Sequence, residues 1–188
     1  MTAPPPHPAA SRRPAPVRGA VAALALAVLL AGTALPPPAG AADPAPPIAV
    51  QLNGASRPGL SRAAVEALPA KEITVAFQTE KGEERARYTG ALLWDALAAA
   101  GLVATQGKHP ELHQFAVITG SDGYFVVVSL GEIAPDFGAV PMLLAYARDG
   151  APLPPEQGLR LVVPGDSRGA RSVRTLARLD ILTLGATP

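Results

Sequence analysis

The stretch Leu159–Leu182, LRLVVPGDSRGARSVRTLARLDIL, joins a strand pattern to a glycine- and arginine-bearing loop. Leu159–Val163 is a short apolar run and reads as a strand. In the loop that follows, Gly165 and Gly169 remove side chains where a backbone must approach a ligand closely. Arg168, Arg171 and Arg174 can clamp an oxyanion such as phosphate with two-pronged guanidinium contacts. From Ser172 to Leu182, apolar Val173, Leu176 and Ile181 mix with polar Arg174 and Arg178, the pattern of a closing strand. In a strand that begins at Ser172, Arg174 and Arg178 share one face about 13 Å apart, at roughly 3.3 Å per residue. Arg178 then lies away from the loop. A solvated basic surface loop leading into an edge strand is the alternative reading.

Outward from that stretch, turn signals separate further short elements. Met142–Ala147 reads as a strand, followed by Asp149-Gly150 and the Pro152–Pro155 loop. Phe115–Thr119 and Tyr124–Leu130 flank Ser121-Asp122-Gly123 as a hairpin. Thr89 is expected to cap a helix over Ala91–Ala100, with Leu93, Trp94 and Leu97 on one face and Gly101 as its left-handed stop. Ile73, Val75 and Phe77 alternate with Thr74, Ala76 and Gln78, a half-buried strand that returns through Lys81-Gly82 into Glu84–Tyr88. Ser61 caps a short helix that runs to Leu68 before Pro69. Ile48–Leu52 is a strand ended by Asn53-Gly54. These strands and two short helices make one mixed, mostly β, α+β domain over residues 48–188.

The head of the chain is different. Twelve of the 22 prolines lie at or before Pro47. Ser11-Arg12-Arg13 and Arg18 precede an uncharged Ala-, Leu- and Val-rich run, Gly19–Leu35, and then Ala39-Gly40-Ala41-Ala42. This is the layout of an export signal, expected over 1–41 with cleavage after Ala41 or Ala42. Residues 42–47 read as a linker. Seventeen mostly small apolar residues are marginal for spanning a bilayer, so stable membrane insertion of the mature chain is not expected. Arg12-Arg13 leaves the twin-arginine and general secretory routes both open. Either one places the product in the periplasm or outside the cell.

Composition excludes several functions. The chain has no cysteine, which removes disulfides, thiolate catalysis and Cys-ligated metals. A formal charge of +1 and 4% aromatic residues argue against nucleic acid as a partner. Without the basic head, 13 basic residues face 15 acidic ones. There is no Gly-x-Ser-x-Gly elbow, Walker loop or Gly-x-Gly-x-x-Gly. His109 and His113 would share a face on a helix, but Pro110 lies between them and the segment reads as a loop. No acid/base pair stands out, and no residue is assigned a catalytic role.

Five segments, in this order, resemble the molybdopterin-binding domain of the sulfite oxidase type of oxidoreductases. They are Tyr88–Leu97 with Ala100-Gly101; Ser121–Tyr124; Leu143–Tyr146 with Asp149–Pro154; Leu159–Gly165; and Arg171–Leu179. The resemblance runs from Ile48 to Leu182. It implies a mixed, largely β fold around a pyranopterin whose phosphate tail is held by the last glycine-rich segment. Carried onto this chain, the implied cofactor-binding residues are Gly165, Arg168, Gly169, Arg171 and Arg174. The family's active members supply a cysteine thiolate to molybdenum shortly after the strand that matches Ile73–Phe77. Gln78 and Thr79 stand there instead, and a neutral amide or hydroxyl replaces a soft charged thiolate poorly. Molybdopterin is therefore the implied cofactor, while a complete molybdenum centre is not expected.

Three functions follow as expectations. One is an exported binding protein for a pterin or another small anionic ligand, with impaired or absent molybdenum catalysis. Another is an active periplasmic molybdenum oxidoreductase with a non-cysteine ligand. The third is an accessory subunit that docks on an envelope protein of a redox or signalling complex.

Overall fold

The computed structural model describes residues 45–80 and 82–185. The export signal expected over 1–41 lies outside the described residues, as does residues 42–44 of the expected linker. Among the described residues, no helix is long and apolar enough to cross a membrane.

Ten strands form two five-stranded sheets among the described residues. The first sheet has the order β2-β1-β10-β5-β6, built from β1 (Ile48–Leu52), β2 (Ala55–Leu60), β5 (Gln114–Gly120), β6 (Phe125–Ser129) and β10 (Leu176–Thr183). The second has the order β3-β4-β7-β8, from β3 (Ala70–Thr79), β4 (Gly82–Leu92), β7 (Leu143–Arg148) and β8 (Ala151–Pro152), with β9 (Arg160–Val162) also paired to β7. The pairing of β1 with β10 is parallel; the other ladders are antiparallel. Three short helices, α1 (Arg62–Glu66), α2 (Leu93–Ala99) and α3 (Leu130–Ile133), fill the connections. The mixed, mostly β architecture matches the sequence reading; the strands it lacked are β2, whose Pro58 and Gly59 break the apolar alternation, and the two-residue β8.

Alternation explains the packing. In β5, Gln114, Ala116, Ile118 and Gly120 are buried while Phe115, Val117 and Thr119 are half-buried, so one face of the first sheet meets the core. That core gathers Val50, Leu97, Ile118, Val128, Leu161 and Ile181 around α2. A smaller cluster on the second sheet unites Val75, Phe77, Ala86, Tyr88, Leu143, Ala145 and Val162. Each large apolar side chain buried this way contributes about 1.5–3 kcal/mol. At α1, the Ser61 hydroxyl accepts the Ala64 N–H at 3.1 Å, as its capping position requires.

Two expectations are corrected. The helix expected over Ala91–Ala100 begins at Leu93, because Thr89–Leu92 continue β4 against β7, pairing Thr89 with Ala147 and Leu92 with Leu143. A complete ladder outweighs one threonine cap. Gly101, at φ +67°, does end the helix in the left-handed region. The closing strand starts at Leu176 and not at Ser172. Gly169–Arg171 form a single 3-10 turn, the Leu161 N–H donates to Val173 O at 2.9 Å, and Thr175 turns the chain at φ +46°. Arg174 is thus a loop residue and shares no strand face with Arg178. His109 caps and His113 ends a single 3-10 turn over Pro110–His113, so they share no α-helical face either.

Candidate functional site

The end of β3, the start of β4, the β5–β6 turn and the loop from β9 to β10 converge on an open cleft of about 780 Å³. That size is within the range of small-molecule sites. Phe77 and Arg160, 4% and 8% exposed, form its buried base. Gln78, Tyr124, Arg168, Gly169 and Arg174 stand around it, with the carboxylates Glu80, Glu84 and Asp122.

Backbone contacts hold the walls. The Gln78 N–H donates to Ser167 O at 3.0 Å, and Gln78 bridges Arg168 in parallel, so the arginine loop is stitched to the end of β3. Gly169 lies directly against the Phe77 ring, and a Cβ there would drive into it. Only glycine lets the loop close over this buried aromatic. On the other side, the Tyr124 hydroxyl donates to Ala170 O at 2.9 Å. The loop is held from both sheets.

The electrostatics centre on Arg160. Its guanidinium lies 3.7 Å from Glu84 and 4.9 Å from the centre of the Tyr88 ring. Glu84 also receives the Tyr88 hydroxyl at 3.0 Å, and Arg148 and Arg174 approach it at 3.3 and 3.9 Å. Three guanidinium groups thus surround one carboxylate. Burial pushes the Arg160 pKa below its ordinary value, opposed by the neighbouring Tyr88 and Glu84, but an arginine starts so high that it stays charged. Burial also raises the Tyr88 pKa, which keeps the phenol neutral as a donor to Glu84. The buried Nε–H of Arg160 has no hydrogen-bond partner. Unsatisfied buried donors are rare in folded proteins and call for an explanation.

The structure brings together three of the five residues expected from sequence: Arg168, Gly169 and Arg174 line the cleft. Gly165 and Arg171 are not among its lining residues. Gly165 turns the chain after β9 at φ +83°. The Arg171 Nε and Nη2 donate to Asp166 at 2.9 and 2.6 Å, and its Nη1 donates to Glu132 at 3.0 Å. The Asp166 bonds, then those to Glu132, hold the Arg171 pKa above its ordinary value. Both prongs of that guanidinium are engaged, so Arg171 braces the loop against α3 and has no free donor pair for an anion. Arg171→Ala is expected to lower stability by about 1–2 kcal/mol, because this brace is partly solvent-screened. Phosphate affinity by calorimetry is expected to change less than about twofold. Arg178 pairs with Asp180 at 2.9 Å on β10, outside the cleft.

Arg160, Glu84 and Tyr124 escape the sequence reading. For Arg160 a signal existed: a lone charge in the apolar run Leu159–Val163 must be exposed, paired or functional. Glu84 and Tyr124 carry no such mark, because their importance arises from strands brought together by the fold.

Among the described residues no cluster of three or more His, Asp or Glu side chains could hold a metal ion. A family model described as the oxidoreductase molybdopterin binding domain matches residues 59–185, more than half of the chain and every residue of the cleft. The structure is similar to the crystal structure of the sulfane dehydrogenase SoxCD from Paracoccus pantotrophus. The TM-score is 0.51 at 19% sequence identity, covering 74% of this chain and 39% of that one. At this identity the likeness concerns the fold, and the chain spans about two-fifths of that protein chain's length. No curated protein matches the sequence. Two sheets joined as described, a cleft at their ends, and a family match over nearly all the described residues lead to one conclusion: the chain belongs to the oxidoreductase molybdopterin-binding domain family.

Proposed function

We propose that the chain is an exported binding protein that holds a molybdopterin-type pterin, or a related small anion, in this cleft and performs little or no molybdenum chemistry. The observation that carries this reading is the buried Arg160 with its unpartnered Nε–H. Arg168 and Arg174 add two cations at the mouth, which suits a phosphate tail. Tyr124, an exposed aromatic at the cleft, offers its ring surface to a flat heterocycle.

The residues present fit the organic part of the family's cofactor and do not fit its metal. The resemblance places a thiolate just beyond the strand matching Ile73–Phe77. Gln78 occupies that end of β3 at the cleft, and the chain contains no cysteine. Molybdenum prefers a soft anionic sulfur there, which a neutral amide does not supply. What the chain's own residues do is bind: the arginines neutralise an anion, and Glu84 orients Arg160 and Arg174.

The test is to purify the protein from the cell envelope and measure intact mass, pterin and molybdenum together. The expected result is a chain that begins near Ala42 or Asp43, with pterin bound, molybdenum far below one per chain and no sulfite turnover above blank. Stoichiometric molybdenum with robust turnover would overturn the proposal in favour of an active oxidoreductase with a non-cysteine ligand.

A further inference from the structure

The edges of the two sheets are guarded unequally. On β2, Arg57 and Pro58 are exposed, and both discourage strand pairing. On β3, Lys71 and Glu72 are exposed and the far end is covered by the Gln78–Ser167 bond. β8 is two residues long and contains Pro152. β9 is covered where Leu161 bonds Val173 and Leu176 bonds Leu159. β6 has none of these devices. Its sequence is Phe-Val-Val-Val-Ser, without charge, proline or glycine, and its register with β5 is unbroken from Phe115–Ser129 to Thr119–Phe125. Phe125 and Val127 are 59% and 52% exposed.

The phase of the ladder shows what that edge presents. The Gly120 N–H donates to Tyr124 O, and continuing this register turns the backbone groups of Val126 and Val128 toward β5. Phe125, Val127 and Ser129 therefore direct their N–H and C=O groups outward. A strand added antiparallel would run toward Tyr124. There the Tyr124 hydroxyl is bonded to Ala170 O, two residues from the exposed Arg168, whose guanidinium has no carboxylate partner among the described residues. The exposed carboxylate of Asp122 accepts the Tyr124 N–H at 3.0 Å, which ties it back to its own turn. An uncharged edge that ends beside a free cation is complementary to an uncharged strand that ends in a carboxylate.

We propose that β6 is a docking edge that takes an extended segment of another polypeptide as a sixth, antiparallel strand of the first sheet. That segment carries apolar side chains at alternate positions beside Phe125 and Val127. It ends in an acidic residue or C-terminal carboxylate seated by Arg168. Main-chain bonds supply affinity and the alternating side chains and the terminal charge supply selectivity. The β6 edge itself is separate from the base of the cleft, while Arg168 also stands at the cleft mouth, so an anion held there competes for the terminal charge and leaves the main-chain pairing untouched.

The test uses the purified mature protein and a fluorescent peptide, Thr-Val-Thr-Val-Thr-Val-Glu-Glu with a free C-terminus, read by anisotropy. A control peptide ends in Gln-Gln-amide. Wild type is expected to bind the acidic peptide more tightly than the control, and Arg168→Ala is expected to remove that difference. Val127→Pro removes an outward N–H without taking a bond from the β5–β6 ladder, and should weaken binding at least about tenfold, as expected for a lost edge bond and a disturbed neighbour. Val127→Lys keeps the backbone and guards the edge with charge, and should weaken binding similarly. Neither Val127 variant should alter phosphate affinity by calorimetry, so a failed edge and a failed cleft are told apart. No peptide binding by wild type at millimolar concentration would overturn the proposal, as would undiminished binding by both folded Val127 variants. A wild-type dimer in sedimentation that Val127→Lys dissociates would overturn it too, by showing that a second copy takes the edge.

Discussion

Arg160→Met is expected to reduce phosphate affinity about a hundredfold, the largest loss for any single side chain of the cleft. The substitution keeps the length of the aliphatic stem and removes the charged fork. Arg160 is 8% exposed and sits at the base of the cleft, where a charge-assisted bond is shielded less by water than at the mouth. Such bonds are worth about 1.5–3 kcal/mol each, and about 1.4 kcal/mol is tenfold. Arg160→Lys keeps the charge without the two-pronged geometry and should recover only part of the loss. Arg168→Ala, on an exposed side chain, should cost less, about three- to tenfold. The stability change in Arg160→Met is expected to be smaller than for an isolated buried pair. Glu84 keeps the Tyr88 hydroxyl and the Arg148 and Arg174 guanidinium groups around it, so no bare carboxylate remains. Calorimetry at fixed salt on these variants decides the matter. Equal, small losses from Arg160→Met, Arg168→Ala and Arg174→Ala would mean diffuse surface charge and no anion site at the base.

Local patterns carried the fold further than they carried the site. Ser61, Asn53-Gly54 and Ser121-Asp122-Gly123 are punctuation whose chemistry acts within a few residues, and the cap and turns stand where the sequence puts them. Thr89 was misleading because its choice between a cap and a strand is made by β7, which lies more than fifty residues later. The same holds for the arginine loop. Its glycines and arginines are visible as a cluster, but the division of labour is not. Arg171 is removed from the cleft by Asp166 and Glu132, one near in sequence and one on α3. Arg174 is delivered to the cleft by the turn at Thr175, at φ +46°, an unusual conformation for a β-branched residue. Arg160 reads as a blemish in an apolar strand until Tyr88 and Glu84 are brought beneath it. What the sequence could not show was therefore mostly long-range pairing.

Gly90→Val should damage the fold severely, and it should damage the cleft with it. Gly90 lies in β4 where the register with β7 shifts. A Cβ at this position would meet Leu144 O and C and Ala145 Cα closer than real Cβ atoms approach. All three are backbone atoms, so no side chain can rotate away; the two strands must separate. The expected cost is about 4 kcal/mol or more, against a total of about 5–15 kcal/mol for a domain. At a few degrees per kcal/mol, the melting midpoint should fall by roughly 15 °C. Gly90→Ala brings the same collision with one carbon and should lie between wild type and Gly90→Val. The effect on binding follows from the topology. Glu84 and Tyr88 stand on β4, Arg148 on β7, and Arg160 on β9 opposite Ala145 of β7. Wedging β4 from β7 pulls the carboxylate away from two of its three guanidinium partners. The fraction of Gly90→Ala that remains folded should therefore bind phosphate more weakly than wild type, although Gly90 itself lies outside the cleft. Thermal melts with phosphate calorimetry on Gly90→Ala make the check. A stable variant with unchanged affinity would mean that β4 and β7 adapt without moving the arginine cluster.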